Sequence, residues 1–132
     1  MEREVELENA FLKCSSVDDA EKLLEKCKSV DIMVSLHDAN AVYIRVSASS
    51  SELIGYAESE LVGNSGYDYF HPDDFQTILK SHAKVTIKPE VDEVEYRIRK
   101  SNGAYLEVRS LSKTLKDDKG IEMILVFTIK RV

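Results

Sequence analysis

Residues 46–74, VSASSSELIGYAESELVGNSGYDYFHPDD, limit what this chain can fold into more than any other stretch. Ser49, followed three residues on by Glu52, has the spacing of a capping box for a short helical turn. Gly55 closes that turn and Gly63 closes a second, over 58–62, where glycine takes positive φ without steric cost. Pro72 suits the first position of a longer helix, because its missing N–H would have no partner there in any case. Asp73 and Asp74 complement the dipole of that helix. A stripe of Phe75, Ile78, Leu79, His82 and Val85 carries it forward until Pro89 turns the chain out.

Strand patterns flank this helical block. Ile32, Val34 and Leu36 alternate with Met33, Ser35 and His37, and the turn residues Asp38-Ala39-Asn40 lead into a second strand over 42–46. Beyond the long helix, Val94, Tyr96 and Ile98 alternate with Glu95, Arg97 and Arg99. Asn102-Gly103 then predicts a tight hairpin with both turn residues at positive φ. The return strand runs over 104–115 and a polar turn over 116–120. Residues 121–129 are almost continuously apolar, as in a central strand covered on both faces. At the other end, Leu7, Phe11 and Cys14, then Val17, Ala20, Leu23, Leu24 and Cys27, fall at helical spacing. Ser16 can cap a new helix with Asp19 in its first turn, so two helices with a break near Ser15–Ser16 are predicted. The order defines an α+β domain: one antiparallel sheet of five strands with helices gathered on one face.

The 132 residues suit one domain, and a net charge of −6 with no basic cluster argues against a nucleic-acid partner. No apolar run reaches the ~18 residues of a membrane span, so no membrane insertion is expected. Cys14 and Cys27 lack metal-ligand spacing and are read as reduced, half-buried thiols of a cytoplasmic protein. His37, His71 and His82 fall on separate elements, without a nucleophile–base order or a phosphate loop, so catalysis is not expected. The acids Glu2, Glu4, Glu6 and Glu8 read as a solvated helix start. The chain stops just after its apolar last strand, which gives the expectation of a domain from a longer protein with its own output domain.

Six motifs occur in a fixed order: a strand ending Leu36-His37-Asp38; Tyr43-Ile44-Arg45-Val46-Ser47; Glu52-Leu53-Ile54-Gly55-Tyr56; Glu60-Leu61-Val62-Gly63; Phe70-His71-Pro72-Asp73-Asp74; and Tyr96-Arg97-Ile98 through Asn102-Gly103. In this order they resemble a PAS domain over 31–132, and residues 1–30 resemble the N-terminal helical cap many such domains carry. The resemblance implies a sheet of strand order 2-1-5-4-3. It also implies a Ser or Thr cap where Ala57 stands, a loss of about 1 kcal/mol. Flavin-binding relatives need a reactive cysteine at a place close to Gly66 here, so a flavin adduct is not expected, and a thioester-linked chromophore fails for the same reason. Haem-binding relatives use a histidine on the long helix, but His82 lies later than the usual ligand, and haem is not expected either.

The stretch 67–82 is similar to the second PAS domain of hypoxia-inducible-factor-type transcription factors. That similarity implies a core cavity lined by Met33, Gly66, Phe70, Ser81, His82, Val91, Ile98, Val108, Ser110 and Thr128. It also turns Met33, Ser35 and His37 inward and leaves Ile32, Val34 and Leu36 on the outer face, which calls for the N-terminal helices to cover that face. Ser35 with His82 and Ser110 would then give a small-molecule site its polar groups; the alternative is that these groups satisfy one another or a buried water. Leu7, Phe11 and Cys14 are the expected homodimer surface, since PAS domains commonly pair through the cap. The stretch 46–56 looks like that of microbial sensor kinases. The expected function is a non-catalytic sensory and protein-interaction module of a sensor histidine kinase or related regulator; the alternative is a ligand-free dimerisation module of a PAS-containing transcription regulator.

Overall fold

The structure is a computed structural model that describes residues 4–88 and 90–131; Glu2, Pro89 and Val132 lie outside the described residues. Helices α1 (Glu4–Lys13) and α2 (Val17–Lys26) come first, followed by the hairpin β1 (Ile32–Asp38) and β2 (Tyr43–Val46). The short helices α3 (Ser50–Leu53) and α4 (Glu58–Leu61), two 3₁₀ turns, and α5 (Phe75–Ile87) follow. Strands β3 (Asp92–Arg99), β4 (Tyr105–Lys116) and β5 (Glu122–Lys130) complete one antiparallel sheet in the order β2-β1-β5-β4-β3. That is the expected α+β architecture and strand order.

Central β5 explains the layering. Phe127 pairs with Val34 on one side and Leu111 on the other, and Leu125 with Leu36 and Lys113. These rows face α1 and α2. Leu7, Phe11, Ala20, Leu23, Leu24 and Cys27 pack there against Ile32, Val34, Leu36, Leu111, Phe127 and Ile129 in one apolar cluster. The Phe11 and Phe127 rings meet at a centroid distance of 5.8 Å. The opposite face, with Met33, Tyr96, Ile98 and Val108, packs under α3 to α5 in a second cluster. The sheet is therefore a filled middle layer, and the N-terminal helices cover the outer face of β1 as its alternation requires.

Leu7, Phe11 and Cys14 correct the expected dimer surface. They are buried against this chain's own sheet, the first two at 0% exposure. The exposed apolar side chains of α1 are Val5 and Leu12. Both cysteines are free and fully inside the fold rather than half-buried. Ser16 caps α2 by accepting from Asp19 N at 3.1 Å, as expected. α1 is also tied to β4 by charge: Glu8 accepts from Arg109 at 3.2 Å, and Lys113 Nζ donates to the Leu12 carbonyl at 3.1 Å above the Phe11 ring.

Local expectations failed where a distant partner competed. The Ser49–Glu52 capping box does not form, because the Ser49 hydroxyl is engaged with Ser47 at 2.7 Å and Cys27 at 3.6 Å. Half a box forms instead at α4, where Glu60 accepts from Ala57 N. The β3–β4 hairpin keeps Gly103 at positive φ but not Asn102. Gly103 N donates back to Lys100 O and Ser101 N is taken by Ile54 O, so the loop is wider than a two-residue turn. Pro72 opens a 3₁₀ turn, Pro72–Asp74, before α5 proper. Asp74 then clamps edge strand β3, accepting from Arg97 N at 2.8 Å and from both ends of its guanidinium; the guanidinium holds the Asp74 carboxyl below its ordinary range. On α5, Ser81 rather than Leu79 joins Ile78 and Val85 in the buried face.

The β2 edge is occupied, and the β3 edge is engaged at Arg97. Tyr43 N and O bond Asn64 and Gly63, and Val46 N donates to Glu58, so β2 has little free backbone. On β3, Arg97 O accepts from His71 N. Gly55, at φ +81°, lies so close to the β3–β4 loop that an added Cβ would meet Ser101 Cβ at 3.1 Å. Gly63, at φ +92°, has open space around it. Gly63→Ala should therefore cost about 1–2 kcal/mol from φ alone, and Gly55→Ala measurably more. Urea unfolding of the two variants checks the order.

Candidate functional site

The inner face of the sheet changes character along its strands. Met33, Thr128, Ser110 and Val94 stand side by side across β1, β5, β4 and β3, with Ser35, Val126, Ser112 and Asp92 in the next row. Hydroxyl-bearing residues interrupt the apolar ones here. The roof over these rows comes from Gly66, Tyr67 and Phe70 before α5, and from Ile78, Ser81, His82 and Val85 on it. Between floor and roof lies a cavity of about 80 Å³, room for a few waters or a very small molecule.

Of the residues that the resemblance turns toward a cavity, Met33, Ser35, Gly66, Phe70, Ser81, His82, Ser110 and Thr128 line it. Val91, Ile98 and Val108 do not, and each is a correction. Val91 is 40% exposed on the approach to β3. Ile98 and Val108 are buried in the filled end of the core, among Leu53, Ile54, Leu61 and Tyr69. His37, Tyr43, Tyr67, Ile78, Val85, Val94, Tyr96, Ser112, Ile124 and Val126 also line the cavity. Period-two extension finds most of the strand members: His37 follows Ser35, Ser112 follows Ser110, and Ile124 and Val126 precede Thr128 at the same spacing.

Hydrogen bonds fix the polarity of the lining. His37 Nδ1 donates to the Ala41 carbonyl at 3.1 Å, so Nε2 accepts from the Ser35 hydroxyl at 2.9 Å. Burial pushes the His37 ring down to about 4, despite the help of the Ala41 carbonyl, so it is neutral near neutral pH. Tyr96 OH, Ser110 and Thr128 form a chain with links of 2.7 and 2.9 Å, and burial raises the Tyr96 phenol. Ser81 donates to Asp92 at 2.5 Å. At the mouth, His82 Nε2 donates to the Ala39 carbonyl at 2.9 Å and Nδ1 meets Tyr67 OH at 3.2 Å, so both ring nitrogens are engaged. At Gly66 an added Cβ would stand 3.2 Å from Phe70 Cζ, so the backbone runs tight against the roof.

This arrangement can hold a small neutral molecule by hydroxyl contacts. Among the described residues, no group of three or more His, Cys, Asp or Glu is placed to hold a metal ion, and no helix is long and apolar enough to cross a membrane.

Comparison with known proteins identifies the fold. A family model described as PAS fold matches residues 43–129. Protein cycle of Drosophila melanogaster is 28% identical over 87 residues, which covers 65% of this chain and 21% of that protein. Basic helix-loop-helix ARNT-like protein 2 of Mus musculus is 31% identical over 72 residues, or 54% of this chain and 12% of the relative. Hypoxia-inducible factor 1-alpha of Gallus gallus is 28% identical over 86 residues, 65% of this chain and 11% of the relative. The chain thus spans a fifth or less of the length of most of these relatives. Solved PAS-B domains of Drosophila melanogaster Cycle, one with bound ethylene glycol and a variant with bound glycerol, align with a TM-score of 0.71 at 24% identity, over 75% of this chain and 99% of theirs.

The buried neutral His37 makes stability depend on pH. A ring whose folded pKa is depressed stabilises fully above its ordinary value near 6.5, and that stability is lost as pH falls from there toward 4. From about pH 7 to about pH 5 the chain should lose about 2 kcal/mol by this group alone. His37→Asn should flatten that part of the profile in urea unfolding, and nitrogen NMR should find Nε2 unprotonated at about pH 6.

Proposed function

Because this chain belongs to the PAS fold family, we propose that it is a non-catalytic interaction module of a larger transcription regulator of the basic helix-loop-helix PAS type. The relatives described above support this reading: they include basic helix-loop-helix ARNT-like protein 2, Cycle and hypoxia-inducible factor 1-alpha, and none of those described is a sensor kinase. That host is favoured over the histidine kinase expected from the 46–56 stretch.

Geometry supports where association occurs. The β2 edge is occupied by the chain's own backbone and side chains, and Arg97 on the β3 edge is engaged by His71 and Asp74, so strand addition has little to pair with at β2. The outer face is broad and apolar, and its cover is two ten-residue helices. A partner PAS domain or a second copy gains that face when α1 shifts. The mechanism is a displacement of the cap, driven by whatever binds the uncovered state more tightly than the covered one.

A second reading rests on the cavity. Its hydroxyl rows and neutral His37 suit a small uncharged ligand, and the Cycle PAS-B domain has been solved with ethylene glycol and with glycerol bound, which supports the admission of small molecules by a domain of this kind. Native mass spectrometry against the denatured mass tests it: added mass supports a ligand, and none leaves the interaction reading alone.

Sedimentation equilibrium tests the first reading. Phe11→Ala removes the ring that seats α1 on Phe127 and should strengthen self-association roughly tenfold, about 1.4 kcal/mol. A variant that folds by circular dichroism yet sediments like the unaltered chain overturns the outer face as the association surface.

A further inference from the structure

We propose that a groove at the β4–β5 turn end of the sheet docks an acidic amphipathic peptide segment of a partner protein. The C-terminal ends of α1 and α5, the segment leading into β3 and the last residues of β4 converge there on a groove of about 650 Å³. Three of its walls come from α1, α5 and the connection into β3, and carry large apolar side chains left in solvent: Leu12 at 48%, Ile87 at 78% and Val91 at 40% exposure. Single exposed apolar residues are ordinary on a protein surface; three converging on one concavity mark a contact site. Leu115 and Val85 form the apolar floor beneath them.

Charge selects the occupant. The chain as a whole carries −6, yet the groove is lined by Lys88, Lys113 and Lys116 against one acid, Glu122. Lys113 is held in place by the Leu12 carbonyl and the Phe11 ring, so its ammonium stays on the wall instead of swinging free. A concave apolar strip with a basic rim fits a helix that lays leucine-type residues along one side and Asp or Glu along the other. The acidic character of the rest of the surface repels the same segment elsewhere, which confines it to this end. The site extends the interaction-module reading to a groove that exists only while α1 is seated, the opposite state to the displaced cap, and its test leaves self-association out of the readout.

The experiment is an amide NMR titration of the whole chain with a twelve-residue probe peptide, about three turns of helix, that has leucine at helical i, i+3, i+4 and i+7 spacing and glutamate elsewhere. A control peptide has lysine in place of every glutamate. The acidic probe should shift the amides of Leu12, Ile87, Val91 and Lys116, and its affinity should fall roughly fivefold or more when salt shortens the Debye length from about 10 Å to about 3 Å. Ile87→Asp and Lys116→Glu lie on exposed side chains, so they should leave the melting temperature unchanged while each weakens the acidic probe at least fivefold. The proposal is overturned if the shifts map to the cavity or the α2 face, if the lysine peptide binds as well, or if neither substitution changes the affinity. Absence of shifts with the probe at millimolar concentration overturns it too.

Discussion

Burial of β5 on both of its faces is the constraint from which the architecture follows. A strand with Phe127, Leu125 and Ile129 on one side and Val126, Thr128 and Ile124 on the other cannot face water anywhere. It needs neighbours on both edges, which β1 and β4 provide, and a layer above and below. Helices α3 to α5 form one layer and α1 with α2 the other. Without the N-terminal helices the rows of Val34, Phe127 and Leu111 would form an exposed apolar patch, the kind of surface that recruits a partner.

The two faces of the sheet are chemically unequal, and the division of roles follows from that. The outer rows are apolar and close-packed against the cap, with Arg109 and Lys113 reaching around α1 as polar ties. The inner rows alternate hydroxyls with apolar groups under a roof that leaves space. A tightly filled face suits a reversible cover, because its cohesion depends on shape and area. A hydroxylated face suits either a small guest or internal self-satisfaction, as in the Tyr96–Ser110–Thr128 chain.

Most of the fold could be read from the residues because it rests on short-range periodicity. Alternation divided β1 into two faces and the resemblance turned Met33 and Ser35 inward, the apolar run placed β5 at the centre, and Ser16 marked the break between α1 and α2. What failed depends on contacts that no local pattern contains. Ser49 was drawn to Cys27, twenty-two residues away, instead of capping its own helix. Ser101 N was claimed by Ile54 O, which reshaped the hairpin that Asn102-Gly103 announces. Leu79 continued the α5 stripe in sequence, but the helix is turned so that Ser81 reaches Asp92. Ile98 and Val108 share the inner face with the cavity residues; how far the cavity extends along the strands is set by the tyrosines and leucines packed at the other end, not by either residue itself.

The length of α1 bears on how the cap can move. Ten residues are too few for a helix to persist alone in water, where nucleation is unfavourable and only packing of an apolar face sustains the turns. Lifting Leu7 and Phe11 off the sheet therefore also dissolves the helix that carries them. Docking and helix formation in α1 are one cooperative event, so the cap behaves as a local folding equilibrium rather than as a rigid lid on a hinge. Its backbone amides would then exchange with solvent at a rate set by how often the outer face lies bare.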